Sequence, residues 1–453
     1  MEKLTAFNKR KFFYFLMIFF VLFPVVHSDT ISEYEKIQEN IDKDEKRLVE
    51  IFKDIHANPE LGFQENRTAN IVDTEFKNLG YQTITGIGKT GVAAIMKNGD
   101  GPIVMYRADM DGLAVKETTG LPYASTKVGK LEGVDGAELP LMHACGHDAH
   151  VTWMLGAAKV MSENKDKWKG TLVFIAQPAE EPGLGARAMV EDNMYKKGVP
   201  KPDYLIGMHT APIPVGTYVA VPGARMAGMD QIDVVFNGVG GHGSAPQVAK
   251  DPVIMSAIAV TSYQSIVSRA IDPQNAAVLT VGSIQAGTEN NVIPASSLVK
   301  INLRWFNEND RNIMVNGIQR INEGIAFSYG LNKDMYPKMI RKGWAAPLVN
   351  DKELTERIER ALQSNIKGIE NLKNYPPAMG SEDFHHLVLD NTKHIYSYIL
   401  VGVADPKVFE KAQKEGKPFP YFNHNGNFMV DLKAISYGVK IASISLLDVF
   451  NNK

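Results

Sequence analysis

Met142-His-Ala-Cys-Gly-His-Asp-Ala-His150 decides how this chain is read. From His143 to His150, eight residues hold three histidines, an aspartate and the single cysteine of the 453-residue sequence. Thiolate, neutral imidazole and carboxylate are the donors that borderline divalent ions take. Gly146 lets the backbone turn sharply between Cys145 and His147, so that both side chains can face one ion. The plain alternative is a buried helix start with one structural thiol. The rest of the chain weighs against it.

Working outward, the stretch lies between a strand pattern and a helix pattern. Pro102–Tyr106 reads as a buried strand running into Arg107-Ala-Asp-Met-Asp111, and His150–Met161 reads as a helix. Two further apolar runs, Thr171–Gln177 and Tyr204–Met208, read as buried strands. Upstream, Leu48, Ile51, Phe52 and Ile55 share one helix face, and Ile71, Phe76 and Leu79 mark a second helix closed by Gly80. Short apolar strands alternating with helices predict an α/β fold with a mostly parallel sheet flanked by helices.

The pattern changes after Pro222-Gly223. Asp230–Phe236 and Leu298–Phe306 alternate in and out, which predicts a sheet with one wet face. With helices at Pro252–Ala270 and Arg311–Tyr329, a strand at Ala277–Ile284 and a last one near Met335, the order is that of a ferredoxin-like α+β domain. We place this insert at residues 225–335, between 29–224 and 336–453 of the larger domain. The larger domain resumes with a helix at Leu354–Ile366, a strand at Ile395–Val403 and a final helix at Ile435–Phe450. The charged stretch Asp405–Lys417 reads as a surface loop.

Composition fits a globular chain: 44% apolar, 22% charged, formal net charge -2. With no polybasic tail, nothing argues for a nucleic-acid partner. At the front, Lys3, Lys9, Arg10 and Lys11 precede an apolar run from Phe12 to Val26, and Val26-His27-Ser28 follows. This is a signal-peptide layout over residues 1–28 with cleavage near Ser28. A retained anchor is the competing reading, because the run is only slightly short of a membrane span. Either places the body of the protein outside the cytoplasm, periplasmic or secreted, with membrane attachment only if the segment is retained. An exported chain with one cysteine has no internal disulfide, and metal ligation would protect the thiol.

Further clusters stand where one metal site would need them. Ligands gather at the carboxyl ends of strands in an open α/β sheet. Thr171–Gln177 runs into Pro178-Ala-Glu-Glu-Pro182, where one of Glu180 and Glu181 can bind metal while the other moves protons. An acidic loop is the alternative. The strand Tyr204–Met208 ends at His209, and Pro420-Tyr-Phe-Asn-His-Asn-Gly426 puts His424 in a polar turn. Gly380-Ser-Glu-Asp-Phe384 reads as a helix start with Ser381 as cap. In the insert, Gly238-Val-Gly-Gly-His-Gly-Ser-Ala-Pro246 sets His242 in a glycine-rich bend. No Gly-Lys-Ser/Thr follows, so this is not a Walker phosphate loop.

Taken together, these residues resemble the metal-dependent amidohydrolases of the aminoacylase and carboxypeptidase superfamily. The likeness is strongest to the branch of hippurate hydrolases, N-acyl-L-amino acid amidohydrolases and plant auxin-conjugate hydrolases. It spans about residues 45 to 450. Arg107-Ala-Asp-Met-Asp111, His143-Ala-Cys-Gly-His-Asp148, Gln177-Pro-Ala-Glu-Glu181, Gly207-Met-His209, Gly240-Gly-His-Gly-Ser244, Asn291-Val-Ile-Pro294, Ser381-Glu-Asp-Phe384 and His424 appear in family order.

The resemblance implies that Cys145, His147, Glu181, His209 and His424 hold two divalent ions, manganese or zinc, with cobalt or nickel also suited. It implies that Glu180 is the general base, activating a metal-held water against the amide of a small N-acyl amino acid. It implies that His242 and Asn291 bind substrate, His242 in a neighbouring subunit's site, and that the insert is a lid through which two chains form a homodimer. Three features depart from the family pattern: Gln247 in place of a histidine, Gly426 in place of a proline, and a longer insert at Val134–Pro140. A dipeptidase or carboxypeptidase, or a deacetylase of cell-wall amino acids, is the alternative on the same fold. A non-catalytic metal or ligand carrier is a third reading, against which the Glu180–Glu181 pair argues, since a carrier needs no base.

Overall fold

The computed structural model describes residues 32–130, 136, 138–389 and 395–451. The expected leader at 1–28 lies outside the described residues, as does part of the Val134–Pro140 insert.

The apolar runs form an eight-stranded sheet. Its four inner strands, Gly170–Gln177, Ile103–Asp109, Tyr204–Pro214 and Ile395–Ala404, lie side by side in that order and run parallel. Gly91–Asn98 and Gln82–Ile87 extend one edge antiparallel. Pleating sends alternate side chains to opposite faces. Val104, Tyr106, Leu172 and Phe174 join one core, while Met105, Val173 and Ile175 join another. Both faces are covered, so the inner strands read as unbroken apolar runs rather than as alternation.

The helices Glu33–His56, His147–Glu163 and Lys433–Asn451 pack together on the first face. Two glycines set how closely the last two approach. A Cβ at Gly438 would lie 2.2 Å from the Trp153 ring, and one at Gly156 would lie 2.4 Å from Val439. Trp153 is fully buried, and its indole N–H donates to the Ala434 carbonyl at 3.0 Å. The helix that begins at His147 is thereby fixed along its length.

A second, four-stranded antiparallel sheet is ordered Val278–Ala286, Ser296–Trp305, Gly228–Asn237, Lys338–Ala345. The helices Pro252–Ala270 and Glu308–Ser328 cover one face around Phe236, Tyr263, Leu303 and Trp305. The alternation expected in Ser296–Trp305 is present: Val299, Ile301, Leu303 and Trp305 are buried, with Lys300, Asn302 and Arg304 on the other side. At its base, buried Asp230 accepts from Arg311 Nε at 2.7 Å, Arg311 Nη2 at 2.9 Å and Trp305 Nε1 at 3.0 Å.

Four expectations need correction. The strand bearing His209 does not end there but continues to Pro214, because Ile395–Ala404 pairs along it beyond His209. Asp405–Lys417 is not a loop throughout: Pro406–Lys414 is a helix, begun by Pro406 and capped by Asp405, which accepts from Lys407 and Val408 N–H. Ser381 caps no helix; its hydroxyl donates to the Ala227 carbonyl at 2.7 Å. The second sheet runs past residue 335, since Lys338–Ala345 pairs with Gly228–Asn237.

Candidate active site

The site is assembled from carboxyl ends of the inner strands and from loops beside them. Ile103–Asp109 delivers Asp109 and, two residues on, Asp111. Gly170–Gln177 delivers Glu180 and Glu181 through a sharp elbow at Ala179, whose φ is +46°. Gly146 has φ +84°, and a Cβ there would lie 2.6 Å from the Thr210 side chain, so only glycine makes this turn. The turn separates Cys145 from the helix that starts at His147. His424, at φ +69°, is tied back to the same segment by its N–H donating to Ala144 O at 2.8 Å.

Six of the eight predicted residues meet here. The donor atoms of Cys145, Glu181 and His424 lie within 4.8 Å of one another, as do those of His147, Glu180 and Glu181. Cys145 Sγ is 3.4 Å from His209 Nε2, and His424 Nε2 is 3.3 Å from Glu181 Oε2. His242 and Asn291 lie elsewhere. They sit at the small sheet formed by Gly241–His242 and Val292–Ile293, both exposed, with Asn291 O accepting from Gly243 N–H at 2.8 Å. His242 Nδ1 accepts from Ser244 N–H at 3.1 Å, and neither residue lines the cavity of its own chain.

Hydrogen bonds fix which nitrogens are free, and we assign tautomers from those partners. His147 Nδ1–H donates to Asp111 Oδ1 at 3.2 Å. His209 Nδ1–H donates to Thr210 O at 2.7 Å. In each case Nε2 is left as a lone-pair donor, the arrangement in which an acceptor orients a metal-binding imidazole. His150 differs, although it lies as close: Nδ1–H donates to Asp109 at 2.5 Å and Nε2 accepts from Thr210 N–H at 2.8 Å. Both nitrogens are used, and burial above all pulls its pKa down to about 3. His150 is therefore a neutral bracket and no ligand.

The donor set fits a divalent ion. His147 Nε2 and Glu181 Oε1, 3.8 Å apart, are both buried without a hydrogen-bond partner among the described residues. Buried polar atoms are rarely left so. The carboxylates are also crowded. Burial pushes Glu180 well above the usual carboxylate range, and the charges of Glu382 and Glu181 push it further. Glu181 is raised to about 8, first by burial, with His147 opposing and Asp111 and Asp109 adding to it. A divalent cation relieves such crowding directly.

Residues of the Arg107-Ala-Asp-Met-Asp111 and Ser381-Glu-Asp-Phe384 motifs support the site from below. Arg107, fully buried, donates to Asp109 at 2.8 Å, Glu382 at 2.9 Å and Gln177 at 2.8 Å. Gln177 and the Ala186 N–H in turn hold Asp383. This ion cluster is the floor of the site, and it joins residues 275 apart in sequence. Asp111 also accepts from the N–H groups of Glu180 at 3.1 Å and Glu181 at 3.0 Å. The signal available in the sequence was the placement of Arg107-Ala-Asp-Met-Asp111 at a strand end.

Above the donors opens a cavity of about 410 Å³. Met226, Met229, Leu400 and Tyr375 give it an apolar side, while Gln231 and Arg304 reach it from the second sheet. Arg304 Nη1 donates to Ser381 Oγ at 2.7 Å and Nε to Asn302 Oδ1 at 2.8 Å. Among the described residues no carboxylate pairs with it, and burial lowers its pKa. Gly426, the departure beside His424, abuts the Lys116 carbonyl: a Cβ there would lie 2.3 Å from it.

Comparison with known proteins agrees with this geometry. A family profile for peptidase family M20/M25/M40 matches residues 105–415. A hippurate hydrolase of Campylobacter jejuni is 36% identical over 396 residues, covering 85% of this chain and 94% of that protein. Thermostable carboxypeptidase 2 of Saccharolobus solfataricus is 32% identical over 430 residues, covering 92% and 99%. Among solved structures, a dinuclear metal-binding peptidase of the M20 family from Bacillus subtilis matches with a TM-score of 0.71 and 26% identity, over 91% of this chain and 100% of that one. Motif order, donor geometry and these likenesses converge: the chain belongs to peptidase family M20/M25/M40 and is a metal-dependent hydrolase of amide bonds.

Proposed function

We propose that the protein hydrolyses the amide bond of N-acyl amino acids that carry a free carboxylate. The observation that carries this reading is the pairing, in one cavity, of Glu180 beside the metal donors with Arg304, whose guanidinium has no carboxylate among the described residues. Arg304 takes the substrate carboxylate. Met226, Met229 and Tyr375 take the acyl group. A volume of about 410 Å³ suits an amino acid with a modest acyl substituent.

Cys145, His147, Glu181, His209 and His424 hold two divalent ions, manganese or zinc. Bound there, the ions supply Lewis acidity that lowers the pKa of water to about 7 and polarises the scissile carbonyl. Glu180 accepts the proton of the attacking water and passes it to the departing amine. Asp111 keeps His147 in the tautomer that presents Nε2, and Arg107 holds Asp109, Glu382 and Asp383 in place beneath.

Two wider features follow from this reading. Val253, Ile254 and Ile258 on the helix Pro252–Ala270 are exposed apolar side chains, and Val248, Ile284 and Val292 are exposed elsewhere on the second sheet's unit. Two chains pair there, and exposed His242 and Asn291 serve the partner's site. Residues 1–28 direct export, to the periplasm or beyond. Carboxypeptidase action on short peptides is the second reading, favoured by the same Arg304, which would take a peptide's terminal carboxylate equally well.

The test is release of free amino acid from a panel of N-acetyl and N-benzoyl amino acids and unblocked dipeptides. The mature chain is assayed with and without chelator, then with manganese or zinc restored. Metal-restored hydrolysis of the blocked amino acids is expected. Hydrolysis of dipeptides alone selects the second reading, and no activity in a metal-loaded protein overturns both.

A further inference from the structure

Glu65 is a fully buried carboxylate that the mechanism above does not use. It stands just before the helix Asn66–Asn78, where a side chain ordinarily caps the first turn, and it makes no such bond. Glu60 does that work, accepting from the N–H groups of Arg67 and Thr68 at 2.8 Å each. Glu65 turns inward. Oε1 accepts from Ala179 N–H at 2.8 Å, and Oε2 accepts from the Thr90 hydroxyl at 2.5 Å.

Ala179 immediately precedes Glu180. Its positive φ is one that a residue with a Cβ adopts only under constraint. The constraint is visible on every side. Its carbonyl accepts from Gly185 N–H at 3.0 Å, a Cβ at Gly62 would lie 3.0 Å from Ala179 Cβ, and its N–H is held by Glu65. Asp111 then holds the next two amides, so two carboxylates clasp three consecutive N–H groups.

We propose that Glu65 is a positioning residue: by holding the Ala179 amide it keeps the left-handed elbow that aims Glu180 into the cavity. This rests on the reading of Glu180 as general base. Length and acceptor character matter here more than charge. Glutamine still presents a carbonyl oxygen to Ala179, whereas aspartate is charged but one methylene short.

The experiment compares wild type, Glu65→Ala, Glu65→Asp, Glu65→Gln and Glu180→Gln as metal-loaded full chains. The readouts are kcat and KM on the best N-acyl amino acid of the panel, metal content, and a crystal structure of Glu65→Ala. Glu65→Ala and Glu65→Asp are expected to lower kcat at least tenfold with KM and metal content little changed. Glu65→Gln should restore kcat to within a few-fold. In the crystal, Ala179 leaves positive φ and the Glu180 carboxylate shifts. Wild-type kcat in Glu65→Ala, loss of metal in step with loss of rate, or an unchanged elbow overturns the proposal. If Glu65→Ala fails to fold, equal kcat in the aspartate and glutamine variants overturns it. An active Glu180→Gln removes the base assignment itself, which an active Glu65→Ala beside an inactive Glu180→Gln does not.

Discussion

Replacing Arg304 with methionine separates substrate recognition from chemistry. Nε and Nη1 are engaged by Asn302 and Ser381, so the remaining Nη2 and the unneutralised charge are what a substrate carboxylate meets. A hydrogen bond between charged groups contributes about 1.5–3 kcal/mol. At about 1.4 kcal/mol per tenfold, its loss lowers kcat/KM roughly 10- to 150-fold. Arg304 is only partly buried, so the middle of that range, about 30-fold, is expected, and it should fall mainly on KM. Stability should change by no more than about 1 kcal/mol, because two hydrogen bonds to the neutral acceptors Asn302 Oδ1 and Ser381 Oγ are lost while a half-buried charge with no carboxylate partner among the described residues is also removed. The assay pairs each N-acyl amino acid with its C-terminal carboxamide. The acid should lose the whole factor and the amide almost none. Equal losses on both, or a loss confined to kcat, would refute the assignment of Arg304 to the carboxylate.

Other outcomes are expected on the same reasoning. Glu180→Gln should abolish turnover while retaining metal, whereas His147→Ala and Glu181→Ala should lose metal, as read by elemental analysis after dialysis; an active Glu180→Gln excludes it as base. Asp230→Ala takes the acceptor from the buried Trp305 indole and one of two carboxylate partners from the half-buried Arg311, which keeps Glu308 at 3.2 Å, and should cost about 2 kcal/mol in denaturant unfolding; a change below about 0.5 kcal/mol contradicts that account. His56 is buried, which lowers its pKa, but hydrogen bonds to Asp148 and Glu117 outweigh burial and raise it from 6.5 to about 9. Its contribution to stability is therefore complete below pH 6.5 and is lost as pH rises through about 9. His56→Gln should flatten thermal stability across that window, and an unchanged pH profile would count against the His56 ion triad.

Much of the architecture was legible because local pattern and tertiary burial agree. The strand at Ile103–Asp109, the alternation in Ser296–Trp305 and the helix following His147 all follow from side-chain periodicity. Cys145 and His147 stood out because few local stretches concentrate such donors, whereas the Glu180–Glu181 pair by itself reads as an acidic loop and gained its weight from its place after a strand and from the family resemblance. What stayed hidden depends on partners distant in sequence. Nothing near Arg107 announces Glu382, and nothing near Glu65 announces Ala179. His209 seemed to end a strand because the apolar run stops there, yet pairing with Ile395–Ala404 carries the strand on. The helix Pro406–Lys414 was obscured by its charge, although Asp405-Pro406 is a capping signal in plain view. His242 and Asn291 fall together on an exposed small sheet, where a single chain gives them no ligand to bind.

The pairing of Tyr204–Pro214 with Ile395–Ala404 has a consequence for synthesis and assembly. Four of the five proposed ligands precede the insert, and the fifth, His424, follows it. Between them lies the second sheet's unit, with a buried cluster of its own. The last strand must then close a loop of about 190 residues, a slow step because non-local contacts have their entropy to overcome first. Until the C-terminal segment docks, the cluster of Cys145, His147, Glu181 and His209 lacks His424, whose N–H is tied to Ala144 O. A chain ending before residue 395 would lack both the strand that covers the Tyr204–Pro214 edge and His424, so the sheet edge and the proposed site depend on the same C-terminal segment.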